Sequence, residues 1–167
     1  MHDELTRVDI QKLREELEYR ETVLMPQILE DVKTARSFGD LSENFEYKAA
    51  KQEQRKNMSR IRYLKQMIAS AVVIEIKSAD DVAGLFDRVE LYLEDEEEEM
   101  VVRFVTTLRQ NSLNGLISKE SPLGRAVLGH RAGERVYVRV SDDYGYWARI
   151  RRIEKGEDDD TLEIGRF

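Results

Sequence analysis

Asp40 and Glu43 are two carboxylates three residues apart in the stretch Gly39-Asp40-Leu41-Ser42-Glu43-Asn44, with polar Ser42 and Asn44 beside them. Carboxylate oxygens are ligands for hard cations. A pair at this spacing in the first turn of a helix projects to one side, so both reach one ion directly or through water. The same spacing also serves helix capping, with Asp40 as N-cap and Glu43 as N3 of a following helix, the capping-box arrangement with Asp in place of Ser. On spacing alone the pair reads foremost as a cap. The two roles are compatible, because a cap fixes carboxylate geometry. Other chemistries are sparsely equipped: there is no cysteine, which excludes disulfides and thiolate ligands, and only His2 and His130 are present, so a self-contained zinc site is not expected.

What must position the pair is a helical hairpin. Before it, apolar residues recur at Ile10, Leu13, Leu17, Leu24, Ile28, Val32 and Ala35; after it, Tyr47, Ala50, Gln54, Asn57, Ile61, Leu64 and Ile68 follow strictly three and four apart. Such a heptad seam on both arms, joined by a few turn residues, predicts an antiparallel pair whose opposed residue numbers sum to about 82. Ile10 to Asp40 is about thirty residues, so the arms extend roughly 45 Å at ~1.5 Å per residue. Thr6 and Asp9 are spaced as an N-cap with an acidic partner. Pro26 predicts a kink, and Arg20 an edge position with its stem over the seam. Gly39 suits the left-handed end of the first arm. Phe38, Leu41 and Phe45 leave apolar groups where a hairpin end has little core.

The 167 residues carry 27 Lys/Arg and 34 Asp/Glu, a net charge of −7. Residues 1–76 are nearly balanced, and the deficit falls in the remainder. Lys48, Lys51, Arg55, Lys56, Arg60, Arg62 and Lys65 meet only Glu53 between positions 47 and 65. This basic stripe reads either as a solvated helix face or as a surface facing phosphates, since local rather than net charge decides contact with nucleic acid. Apolar residues make up 41% and charged residues 37% of the chain. No apolar run is long enough to span a membrane and the acidic start is no secretory signal, so a cytoplasmic protein is expected.

At Val72-Val73-Ile74-Glu75-Ile76 the pattern turns β-branched, which places a boundary between a hairpin over 1–71 and a domain over 72–167. Strands are predicted over 85–93, 100–105, 116–118, 135–140 and 146–153, with a last one in 161–167. Asp95–Glu99 reads as a solvated turn. Ser121-Pro122 opens a short helix closed by Gly129. The fold class is α+β: an N-terminal coiled-coil hairpin and a small sheet domain with one helix.

Ala35-Arg36, Gly39-Asp40-Leu41-Ser42-Glu43-Asn44, Glu46-Tyr47 and Ala49-Ala50, followed by Ile117-Ser118, Ser121-Pro122-Leu123 and Leu128-Gly129, resemble the Gre family of bacterial transcript-cleavage factors over roughly residues 5–154. The resemblance implies an FKBP-like C-terminal domain that docks on bacterial RNA polymerase through Glu120, Ser121 and Pro122. It implies a hairpin that enters the secondary channel and reaches the 3′ end of backtracked RNA. Asp40 and Glu43 would then share a magnesium ion with the polymerase and promote RNA cleavage, with Ser42 and Asn44 auxiliary. Two-metal phosphodiester cleavage suits such ligands. Arg36, Lys48, Lys51, Arg55 and Lys56 would face the RNA. The chain would be a monomeric accessory factor that activates the polymerase's own cleavage, with no cofactor of its own and no membrane partner.

The chain departs from the family pattern at Phe45, where a small residue is usual, in the acidic run Asp95–Glu99, and in a tail after Glu154. The main alternative keeps the fold and docking but makes the hairpin a plug that inhibits the polymerase without cleavage. A peptidyl-prolyl isomerase would rest on fold alone, and a coiled-coil chaperone arm fits the paired acids poorly.

Overall fold

The computed structural model describes residues 3–39 and 43–165. The chain divides into two compact units, one holding residues 10–71 and the other Glu4–Asp9 together with the residues from Val72 onward.

The first unit is the hairpin. Helix α1 (Arg7–Tyr19) passes through a π-helical turn (Arg20–Leu24) into α2 (Met25–Arg36), and α3 (Phe45–Ser70) returns antiparallel to them. Leu13, Ile28, Val32, Ala35 and Leu64 are buried along the seam, as the heptad spacing predicts. The expected kink takes the form of the π turn. Met25 N–H bonds back to the Arg20 carbonyl, and Pro26 falls in the first turn of α2, where a missing donor is tolerated.

The seam is not apolar throughout. Asn57 and Arg60 are buried, and Glu16 receives Arg60 Nε at 2.8 Å and Nη2 at 3.0 Å. Arg20 Nε reaches the same carboxylate at 2.8 Å, and its Nη1 donates to Asn57 Oδ1 at 2.9 Å. Burial alone raises the Glu16 pKa, but the hydrogen bonds from Arg60 and Arg20 outweigh it and hold the carboxyl below its ordinary value. The Asn57 amide also donates to the Arg20 carbonyl at 3.3 Å, beside the π turn. Arg60, expected on the basic stripe, therefore belongs to the seam.

The second unit is built on a five-stranded sheet in the order β5-β4-β3-β7-β6. Its strands are β3 (Arg88–Leu93), β4 (Glu98–Val105), β5 (Leu116–Ser118), β6 (Arg135–Arg139) and β7 (Gly145–Glu154). All neighbours are antiparallel except β4 and β5. Helix α4 (Pro122–Val127) adds Leu123 and Val127 to a core of Val89, Leu91, Val102, Phe104, Val136, Val138, Ala148 and Ile150. Inward residues alternate along β6 and through the centres of β3 and β7, as one-faced burial demands. Gly124 lets α4 sit against the β5 exit, for a Cβ there would lie 2.6 Å from the Ser118 carbonyl oxygen. Of the acidic run, Glu98 and Glu99 lie within β4, and the turn ends at Glu97 with φ +52°.

Two short strands, β1 (Glu4–Leu5) and β2 (Val72–Val73), pair in parallel, so the β-branched run at 72–76 yields only a two-residue strand. Thr6 and Asp9 form the expected capping box: Thr6 N–H donates to Asp9 Oδ2 at 3.0 Å and Asp9 N–H to Thr6 Oγ1 at 3.2 Å. Asp9 also pairs with Arg109, whose Nε lies 2.7 Å from Asp9 Oδ1, both side chains being wholly enclosed. Arg109 further pairs with Asp158, donates to the Asp159 carbonyl at 2.8 Å, and stacks 4.6 Å from the centre of the Phe86 ring. The last predicted strand is not formed among the described residues. The tail is instead pinned by side chains: Lys155 Nζ bonds Asp87 and Ser78 at 2.6 Å each, and Gly165 N–H reaches the Leu108 carbonyl. These polar anchors replace the strand ladder expected there.

Candidate functional site

The end of the hairpin begins where α2 stops. Arg36 closes its last turn with the guanidinium 5.7 Å from the centre of the Tyr47 ring, tying the first turn of α3 to the end of α2. Gly39 has φ +117°, a backbone region nearly closed to other residues. Asp40, Leu41 and Ser42, which include the first expected carboxylate and one auxiliary residue, lie outside the described residues. Glu43 is exposed in the turn before α3.

The capping expectation is corrected here. The N-cap of α3 is Asn44, whose Oδ1 accepts the Tyr47 N–H at 3.0 Å, so Glu43 precedes the helix rather than occupying N3. The Asn44 amide does two things at once. While Oδ1 caps α3, Nδ2 donates to the Ala35 carbonyl at 2.6 Å, satisfying an end group of α2. One side chain thus closes both helix ends and sets Glu43 outside them. The spacing of Asn44 to Tyr47 is a plain cap signal, masked by the stronger Asp-x-x-Glu pattern before it.

Behind this turn, Lys48 is exposed with Nζ 5.7 Å from the Phe45 ring centre; Lys51 bonds Gln54 at 2.9 Å; Arg55 and Lys56 are exposed, Lys56 within 3.5 Å of Glu53. Lys65, further along, pairs with Glu21 at 2.5 Å. The stripe is thereby narrower than its sequence count, concentrated in the first three turns of α3 with Arg62 beyond. Phe45 is 81% and Phe38 65% exposed.

In the second unit, Ser121 caps α4 by accepting the Gly124 N–H at 3.0 Å, and Pro122 is exposed in its first turn. Glu120 is exposed and clamped by Lys119 at 3.1 Å and Arg125 at 3.2 Å; the Lys119 hydrogen bond, first of these, lowers its pKa. Lys119 also pairs with Glu4 and is raised on balance: burial lowers it, while Glu4 and Glu120 more than compensate. Glu120, Ser121 and Pro122 therefore form one braced surface corner. Among the described residues, no three His, Asp or Glu side chains gather closely enough to hold a metal ion. Nor, among the described residues, is any helix long and apolar enough to cross a membrane.

Comparison with known proteins agrees with this layout. The family model described as transcription elongation factor, N-terminal, matches residues 4–73, and that described as transcription elongation factor, GreA/GreB, C-term, matches residues 77–155. The transcription elongation factor GreA of Geobacillus kaustophilus is 41% identical over 137 residues, covering 81% of this chain and 87% of its own. GreA of Bacillus subtilis is 39% identical over 130 residues, 78% of this chain and 83% of that protein. Among solved structures, the GreA factor homolog 1 of Thermus thermophilus aligns over 93% of this chain and 100% of its own, at 26% identity and a TM-score of 0.43. This chain belongs to the GreA/GreB family of transcription elongation factors.

Proposed function

We propose that this protein binds bacterial RNA polymerase, enters its secondary channel with the hairpin end, and stimulates magnesium-dependent cleavage of the 3′ end of backtracked RNA. The observation that carries this reading is the turn at Glu43. An exposed carboxylate stands outside two helix ends that Asn44 ties together, with Lys48, Lys51 and Arg55 ranged behind it.

Glu43 supplies oxygen ligands of the kind magnesium takes, and with Asp40 it would hold an ion shared with the polymerase. The ion, when bound, stabilises charge developing on the phosphate oxygens. Asn44 holds the turn so that Glu43 meets that ion without first ordering the chain. Arg36, Lys48, Lys51, Arg55 and Lys56 attract the extruded strand through its phosphates without reading its sequence. Ser42 adds a polar contact beside the pair. The corner at Glu120, Ser121 and Pro122 docks on the polymerase. The protein acts as a cytoplasmic monomer and an accessory factor rather than an enzyme in its own right.

The test uses stalled elongation complexes of the cognate polymerase. Asp40→Asn and Glu43→Gln are each expected to abolish stimulated cleavage while binding to polymerase persists. Cleavage at the parent rate by both variants would overturn the reading. Binding without any cleavage by the parent would make the protein a channel-plugging inhibitor instead.

A further inference from the structure

Phe38 and Phe45 stand on either side of the hairpin turn, and neither ring is covered by the rest of its unit. With Glu43, Asn44 and Glu46 they line an open hollow of about 560 Å³. Phe45 is held in place: it is the first residue of α3, directly after Asn44, whose two hydrogen bonds fix the backbone on both sides of the turn. Lys48 Nζ lies 5.7 Å from the Phe45 ring centre, within the reach of a cation–π contact.

An uncovered aromatic ring on an anchored backbone offers a flat face for stacking. The rim of this hollow selects what stacks there. Glu43 and Glu46 repel a phosphate, yet their carboxylates can accept hydrogen bonds from the polar edge of an uncharged ring. An aliphatic protein side chain would satisfy the rings but leave those carboxylates without partners. The phosphate attached to such a ring would be drawn to Lys48, beside Phe45 on the next turn of the helix. A planar base with a charged backbone on one side matches this division of apolar, polar and basic surface.

We propose that Phe45, assisted by Phe38, seats the unpaired nucleobase at the 3′ end of the extruded RNA and so positions the strand beside Glu43. This inference rests on the cleavage function proposed above. Stacking on an aromatic face is tolerant of base identity, so the seat holds the strand without selecting a sequence.

The experiment measures maximal cleavage rates in stalled complexes whose RNA ends either in a normal nucleotide or in an abasic one. Phe45→Ala is expected to slow cleavage of the normal RNA by about tenfold, within the range of one lost stacking partner. On the abasic RNA, the same variant is expected to match the parent, because the base it would seat is already gone. Phe45→Trp is expected to restore most of the rate, and Phe38→Ala to cost a few-fold. Binding to polymerase and the melting temperature are expected to stay unchanged, since Phe45 is uncovered in the free protein. Parent-like cleavage of normal RNA by Phe45→Ala overturns the inference. So does an equal loss on both RNAs, which would assign the ring to the protein wall of the channel. Failure of Trp to restore the rate also overturns it. If the parent stimulates no cleavage of either RNA, the cleavage reading itself falls, and the seat falls with it.

Discussion

Each unit of this protein buries an arginine, and each does so differently. In the hairpin, Arg60 is 4% exposed and forks onto Glu16, whose side chain keeps 20% of its surface in contact with water. In the sheet unit, Arg109 and Asp9 are wholly enclosed, and Asp158 is nearly so. A hairpin has only two layers, so a polar group in its seam always lies near solvent. There the cluster of Glu16, Arg20, Asn57 and Arg60 chooses a register, as buried polar residues do in coiled coils. A sheet closed by a helix has an interior, and its enclosed arginine gathers segments distant in the chain. Polar burial sets alignment in one unit and closure in the other.

The strongest attack on this contrast is Arg109→Met. It strands Asp9 in a site sealed from water, and loss of one member of a buried pair costs about 3–5 kcal/mol. Urea denaturation is expected to show that loss in the transition of the sheet unit. Arg60→Met comes next, at roughly 2 kcal/mol for the broken charged hydrogen bonds, because water can reach Glu16. If this variant proves as costly as Arg109→Met, the distinction between the two burials fails.

Asn44→Ala probes the end of the hairpin. Loss of the cap costs about 1 kcal/mol, and faster amide exchange at Tyr47 is expected without change in the sheet unit. The smallest effect concerns Glu94, which bridges Arg135 at 2.7 Å and Arg149 at 2.9 Å on the sheet surface. The hydrogen bonds from Arg135 and then Arg149 lower its pKa from 4.5 to about 2. A carboxyl lowered by folding contributes stability that is complete above its unfolded value and is lost as pH falls through the folded one. The contribution therefore fades between about pH 4.5 and 2, and added salt weakens it. Glu94→Gln is expected to flatten that part of the acid denaturation curve; an unchanged slope would mean the bridges add nothing.

How legible these features were depends on the range of the interaction. The hairpin arms, the Thr6–Asp9 box, the Ser121 cap and five of the six strands predicted beyond residue 76 follow from spacing within a few residues. Arg60 looked like one more cation on the stripe, because its partner Glu16 is 44 residues away and the register that joins them depends on the π turn. Nothing in local spacing marks Asp158 either, its partner Arg109 being 49 residues distant. At the hairpin end, the sequence marks Asn44 only as an auxiliary residue, because its bond to the Ala35 carbonyl depends on how the arms meet. Local chemistry is written in spacing; a buried ion pair is written only in the fold.

The grouping of Glu4–Asp9 with the sheet unit has a consequence for synthesis. These residues leave the ribosome well before their partners, Val72 and Val73, Arg109 and Asp158. Hairpin contacts such as Arg60 with Glu16 are complete once Ser70 has emerged. The arms can therefore close on a nascent chain while the first segment waits, and the enclosed arginine is sealed only when the tail arrives. Limited proteolysis of stalled nascent chains is expected to find the hairpin protected early and the sheet unit only once Asp158 has emerged. Asp158 thus completes a structure that Thr6 and Asp9 begin.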